Sequence, residues 1–350
     1  MKISRENNFD LIRLMAAFQV LIWHGSVHFD LSERLYNILV IIYHFPGVPI
    51  FFTISGFLIS FSLERNNFNL KQYFKNRSLR IFPALWVCTG LTAMLLLGFG
   101  KIGSVKDFIS WFIAQITFFQ FYTSESLKAW GTGHPNGSLW SIAVELQFYF
   151  VLPFILYVIN LSKSKWSINL SLLVFFLLSI FIKYFIHNNA FILQNELYVK
   201  LLNNTVLIYL HFFLTGIAIY KNFDWLLPYL KDKALIWLVI YAVYVLIAKF
   251  WFNVYDNNYE ISIWGVLANT ILSLLTLSFA FSFTDLSKKL LRENDISYGI
   301  YIYHMPIVNT MVSLGYKGNN WNLLVLAILT TILAFISWKL IEQRILKLKM

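Results

Sequence analysis

Apolar stretches about as long as a bilayer is thick recur along the whole chain, separated by short polar joints. A helix needs about 20 apolar residues to cross the hydrocarbon core, and lipid offers no partner to free backbone N–H and C=O groups. The pattern therefore predicts helices packed within a membrane. Composition agrees: 13% of the residues are charged, against about 25% in soluble domains. The 34 Phe, 19 Tyr and 12 Trp suit lipid-facing surfaces and interfacial belts. The first stretch carries Arg13 and His24 and has no small-residue cleavage site, so it reads as a span and not a signal peptide. The net charge of +11 does not point to nucleic acid. Lys and Arg cluster at helix ends, where the positive-inside bias and anionic lipid account for them. A single cysteine, Cys88, excludes an intramolecular disulfide and any cysteine-rich metal site.

Eleven hydrophobic stretches are readable, at 8–29, 38–63, 79–98, 107–122, 138–159, 168–186, 204–220, 234–252, 261–283, 296–314 and 321–341. Basic residues test that count. Lys2 and Arg5, the loop 64–78 (Arg65, Lys71, Lys75, Arg77) and the joint with Lys163 and Lys165 all ask to be cytoplasmic. So do the loops with Lys221, Lys231 and Lys233 and with Lys288, Lys289 and Arg292, and the tail with Arg344, Lys347 and Lys349. Eleven crossings cannot satisfy both halves of the chain; ten can. The segment 107–122, short and carrying Gln115 and Gln120, is the one expected to lie at the interface or re-enter from the outer side. The expected fold is an all-α polytopic membrane protein of about ten transmembrane helices with both termini cytoplasmic. Residues 1–350 read as a single domain, without linker or internal repeat.

Several polar constellations interrupt this apolar pattern. Arg13 and His24 are eleven residues apart, about three helical turns, so they share one stripe roughly 16 Å apart along the axis. Asp10 lies one turn earlier. Ionisable residues in a span are costly unless they face protein or water, and so suggest function. His24 is placed to act as a general base toward a hydroxyl, or as a hydrogen-bonded structural histidine. His28 makes an i,i+4 pair with it, but no third metal ligand is evident and no metal is expected. Arg77 and Arg80, three apart before Ile81-Phe82-Pro83, are able to clamp one multivalent anion or to serve as positive-inside anchors, as Lys71 and Lys75 do. Ser141, Glu145 and Tyr149 recur every four residues on one helix face. Glu145 needs a partner there, an imidazole or an arginine. In Gly47-Val48-Pro49-Ile50-Phe51-Phe52-Thr53-Ile54-Ser55-Gly56-Phe57, Pro49 and Gly56 invite a broken or closely packed helix. Ser55 there is either a nucleophile or packing glue. Ser297-Tyr298-Gly299-Ile300-Tyr301-Ile302-Tyr303-His304 brings a further histidine near mid-membrane, either lining a cavity or packed in the core.

Taken in order, these pieces resemble the bacterial integral-membrane acyltransferase-3 family. The matching segments are Phe9 to Arg13 with His24, Gly47 to Ile59, Arg77 to Pro83, Leu139-Trp140-Ser141 with Glu145 to Tyr149, and Ser297 to Tyr301 with His304. Residues 160–290 add little. Pro49 departs from many relatives, which carry an acidic residue after the valine, and no role is carried onto it. The resemblance implies transfer of an acyl group, usually acetyl from cytoplasmic acetyl-CoA, to a sugar hydroxyl of an exported glycan or glycolipid. That would take place in the bacterial inner membrane, with no permanently bound cofactor. Its arginine-plus-histidine motif falls on Arg13 and His24 and its arginine pair on Arg77 and Arg80. Some relatives carry a C-terminal esterase-like domain; ending at Met350, this chain is expected to be the stand-alone type. On this reading Arg77 and Arg80 hold the CoA phosphates, Arg13 polarises the thioester or binds the pantetheine arm, His24 deprotonates the acceptor or carries the acyl group, and Glu145 holds the imidazole or receives the proton. A transporter or flippase for a glycan or lipid is the alternative, with the same charges lining a substrate path.

Overall fold

The computed structural model of the chain describes residues 7–161, 164–252 and 262–349. Lys2, Arg5 and Lys163, three of the charges that orient the chain, lie outside the described residues. Within them all regular structure is helical. In order the helices are α1 (Phe9–His28), α2 (Glu33–Tyr43), α3 (Gly47–Arg65), α4 (Leu70–Gly98), α5 (Val105–Ile116), α6 (Trp140–Asn160), α7 (Lys165–Asn188), α8 (Ala190–Leu193) and α9 (Glu196–Leu202). There follow α10 (Leu210–Lys221), α11 (Phe223–Leu230), α12 (Ala234–Trp251), α13 (Ile263–Ala280), α14 (Leu286–Leu291), α15 (Ser297–Ser313), α16 (Trp321–Ser337) and α17 (Gln343–Leu346).

Seven segments among the described residues are long and apolar enough to cross a membrane, by length and composition: Glu33–Arg65, Leu70–Gly98, Gly137–Asn160, Lys165–Asn188, Ala234–Trp251, Ile263–Ala280 and Trp321–Leu346. α10 is apolar but shorter. The structure refines the expectations at 38–63 and at 64–78. The stretch 38–63 is divided between α2 and α3, and the break falls at Pro46, which precedes α3 in an extended conformation. Pro49 does not break the helix, because it sits in the first turn of α3, where its missing N–H would have no intrahelical acceptor. The loop 64–78 is also mostly helix: α4 starts at Leu70 and carries Lys71, Lys75, Arg77 and Arg80.

The helices group into two compact units, each assembled from separated pieces of chain. The first comprises Met1–Ile12, His44–Leu70 and Val144–Glu293; the second comprises Arg13–Tyr43, Lys71–Ala143 and Asn294–Met350. In the first unit, α3 and α10 cross on two glycines. A Cβ on Gly56 would lie 2.1 Å from the Phe213 carbonyl oxygen, and one on Gly216 would lie 2.1 Å from that of Thr53. Only hydrogens permit so close a backbone approach. Phe213 stacks between Phe148 and Phe52, with ring centroids 3.9 and 4.4 Å away. Glu64 at the end of α3 accepts from Lys221 at 2.5 Å, Asn160 at 2.7 Å and Tyr220 at 2.7 Å, tying the ends of α3, α6 and α10 together.

In the second unit α5 runs back along α4. Trp111 and Trp130 pack with Ala93 and Leu96 near the end of α4. Farther down, the Trp86 indole donates to the Ile116 carbonyl at 3.0 Å and Phe118 meets Phe82. The chain then returns, and Ser124 donates to the Asp107 carbonyl at 3.1 Å. Gln115 braces the tip by donating to the carbonyls of Gln120 and Tyr122. The segment 105–124 thus starts and finishes at the Gly98 end of α4. At twelve residues, α5 is about 18 Å long, against a hydrocarbon core of about 30 Å. α15 anchors the following loop: Asn309 accepts from the Thr132 N–H at 2.7 Å and donates to the carbonyls of His134 and Pro135.

Candidate active site

α1 enters the second unit at Arg13 and presents its polar stripe there. The Arg13 guanidinium lies 3.4 Å from Oδ2 of Asp295, and that oxygen also accepts from Arg80 Nη2 at 2.5 Å. The other oxygen, Oδ1, accepts from the Ser297 hydroxyl at 2.5 Å and backbone N–H at 3.3 Å, so one carboxylate both caps the start of α15 and gathers two arginines. Burial alone would raise the Asp295 pKa; Arg80, Arg13 and the Ser297 hydroxyl outweigh it and hold the carboxyl well below its usual range. The sequence reading assigns Arg13 and Arg80 to separate tasks; here they meet on a single oxygen. Arg77 is half-buried one turn before Arg80 on α4.

Eleven residues along the same helix, His24 begins a row of imidazoles. Its ring centroid lies 5.2 Å from that of His304 and 6.2 Å from that of His28, nearly parallel to the latter. His304 is fully buried on α15. Its Nδ1 donates to the Ile300 carbonyl at 3.2 Å, which leaves Nε2 as the lone-pair nitrogen of the neutral ring. That atom has no hydrogen-bond partner among the described residues. Beside it, Tyr301 donates to the Ser138 carbonyl at 2.8 Å and shares a 2.6 Å hydrogen bond with the Ser141 hydroxyl. Ser141 is thereby committed to holding α15 and the start of α6. Among the described residues no group of three or more His, Cys, Asp or Glu is placed to hold a metal ion.

Glu145, Ser55 and Tyr149 come together in the first unit. Oε1 of Glu145 accepts from Ser55 Oγ at 2.8 Å and from Tyr149 Oη at 2.6 Å. The partners found for this carboxylate are therefore hydroxyls, where an imidazole or arginine was expected. Ser55 thus donates to Glu145 within the first unit, an arrangement that suits packing and polar anchoring. Asp10, half-buried, lies in the first turn of α1, where the helix dipole favours an acid.

Two functional-looking residues escape the sequence reading. Asp295 is 215 positions from Arg80, and its only local signal is an acid between a basic loop and an apolar helix. Glu342 sits on a π-helical turn, Trp338–Glu342, and is buried. Such turns concentrate at functional sites. Its Oε1 accepts from Ser337 at 3.2 Å, while Oε2 has no hydrogen-bond partner among the described residues.

Comparison with known proteins bears on the whole arrangement. Residues 6–339 match a protein family described as an acyltransferase domain. The chain is similar to Nodulation protein 10 of Rhizobium leguminosarum bv. viciae, 30% identical over 99% of this chain and 95% of the relative. It is 29% identical to the O-acetyl transferase of Shigella phage Sf6, over 98% of this chain and 97% of the relative. It is 28% identical to the peptidoglycan O-acetyltransferase OatA of Listeria monocytogenes serovar 1/2a, over 91% of this chain but 55% of that longer protein. No solved structure gives a significant match.

Proposed function

Because the chain belongs to the acyltransferase-3 family and is an O-acyltransferase with several membrane-spanning helices, we propose that it moves an acetyl group from cytoplasmic acetyl-CoA to a hydroxyl of an exported glycan or glycolipid. The membrane would be the bacterial cytoplasmic one. The acceptor class is supported by the relatives, one of which is a peptidoglycan O-acetyltransferase. The observation that carries the reading is the layout of α1. Cations at one end, Arg13 with Arg80, are separated by eleven residues from the His24 imidazole at the other, so donor binding and proton abstraction fall at different depths of one unit.

In the proposed reaction, Arg80, with Arg77 one turn away, binds the anionic part of the donor, and Arg13 shares that task. His24 takes the proton of the acceptor hydroxyl as its oxygen bonds to the acyl carbon. The carbon–sulfur bond breaks, and the thiolate leaves and is protonated. An acyl-histidine relay would use the same nitrogen as nucleophile. His304 backs His24 through its buried ring, and Glu145, with Ser55 and Tyr149, serves as a polar anchor of the first unit.

The membrane path proposed here has ten crossings: the seven long segments with α1, α15 and α10, the last as short as α5 by itself but lengthened by the helical turn Val206–Ile208 that leads into it. The segment 105–124 re-enters without crossing, and both termini are cytoplasmic. Supporting this are the basic residues of loops and helix ends and the return of 105–124 to its starting level.

The test is transfer of radiolabel from acetyl-CoA to endogenous glycan in membranes carrying wild-type protein or His24→Ala. Label in the wild type and a loss of at least about 100-fold in the variant is expected for a general base. Equal label in both would remove His24 from the chemistry. No label with wild type, together with no acetyl-CoA binding, would remove the donor assignment.

A further inference from the structure

The second unit contains what has the form of an anion site already filled by one of its own side chains. Two guanidiniums, on α1 and α4, converge on the same oxygen of Asp295, at 3.4 and 2.5 Å. The same forked donors recognise phosphate and carboxylate alike. Asp295 is not free to drift, since Ser297 holds its second oxygen through both hydroxyl and backbone N–H. The arginines are the more accessible members: their side chains are 26% and 18% exposed, against 11% for Asp295. A second acid faces the group, as Glu342 on its π-helical turn lies within electrostatic reach of Arg80 and Asp295.

We infer that Asp295 is an internal counter-anion that competes with the anionic part of the acyl donor for Arg80 and Arg13, and so sets both the affinity for donor and the release of the spent thiol carrier. The inference rests on the assignment of these arginines to donor binding. Its physical basis is differential. A buried guanidinium stripped of its partner is costly, so an arriving polyanion finds less to gain while Asp295 occupies the fork. Once acyl transfer is complete, the same carboxylate recaptures the arginines as the carrier leaves. Weakening Asp295 should tighten binding of substrate and product together.

The full-length protein, purified in detergent, would be assayed for the KM of acetyl-CoA and for inhibition by free CoA, with wild type, Asp295→Asn and Ser297→Ala compared. The lost charge-assisted contact corresponds to about tenfold or more, so both constants should fall by that factor in Asp295→Asn. Ser297→Ala, which loosens the carboxylate without removing it, should shift both in the same direction by less. Inorganic pyrophosphate should raise the unfolding temperature of Asp295→Asn more than that of wild type. A KM unchanged or raised in Asp295→Asn would overturn the inference, because Asp295 would then merely orient the arginines. If that variant does not fold, Ser297→Ala with an unchanged or higher KM overturns it equally. Wild type that neither binds nor consumes acetyl-CoA would instead sink the donor assignment beneath it.

Discussion

Asn309 shows what one buried amide does for a loop that looks unstructured by composition. Its three hydrogen bonds to Thr132, His134 and Pro135 hold Gly131 at φ +59, with Asn309 itself occupying the space a Cβ would need. Asn309→Ala should cost roughly 2–4 kcal/mol by leaving a buried N–H and two carbonyls unpaired, seen as a lower midpoint in thermal unfolding of the detergent-solubilised protein. Asp295 obeys the same logic with charge. Its carboxyl is depressed in the folded protein, so the stabilisation is complete above the ordinary value of 3.8 and fades only as pH falls below it. Acid titration of unfolding midpoints should show a larger loss in wild type than in Asp295→Asn. Both residues were illegible in the sequence, since their partners lie more than 170 positions away. Arg13 and His24 were legible because helical spacing alone puts charge on one stripe.

At the level of helices, hydropathy located nearly every segment but not the point at which one stretch divides. It read 38–63 as one stretch without the interruption at Pro46, and it left open whether Pro49 and Gly56 break the helix or pack it closely, because apolar content says nothing about which first-turn position tolerates proline. Gly56 read correctly as a close-packing residue, but its partner Gly216 lies in a region that adds no motif, and only the fold joins them. Gly216→Ala should lower stability by roughly 1–3 kcal/mol through backbone displacement. Gly90→Ala on α4, where an added Cβ meets nothing within 4 Å, should leave the midpoint unchanged or raise it slightly. A comparison of thermal midpoints for the two variants separates crowding from intrinsic helix propensity.

For the whole molecule, positive charge and span length support the proposed membrane path, while the grouping of spans into two units is invisible until packing is known. The re-entrant path is testable directly. In a Cys88→Ala background, cysteines placed at Lys101 and Glu125, which flank the returning segment, should both react with a membrane-impermeant maleimide from the same side. Labelling from opposite sides would make 105–124 a crossing. The interleaving of the two units also has a consequence in the time domain of synthesis. Arg13 and Arg80 leave the ribosome early, but Asp295 follows Arg80 by 215 residues, roughly 10–40 s at 5–20 residues per second. Through that interval two cations destined for burial must be kept in water, at the headgroups or by a chaperone. A chain stopped short of Asp295 would expose them to quality control, which makes the acid of the last third a checkpoint on completion of the first.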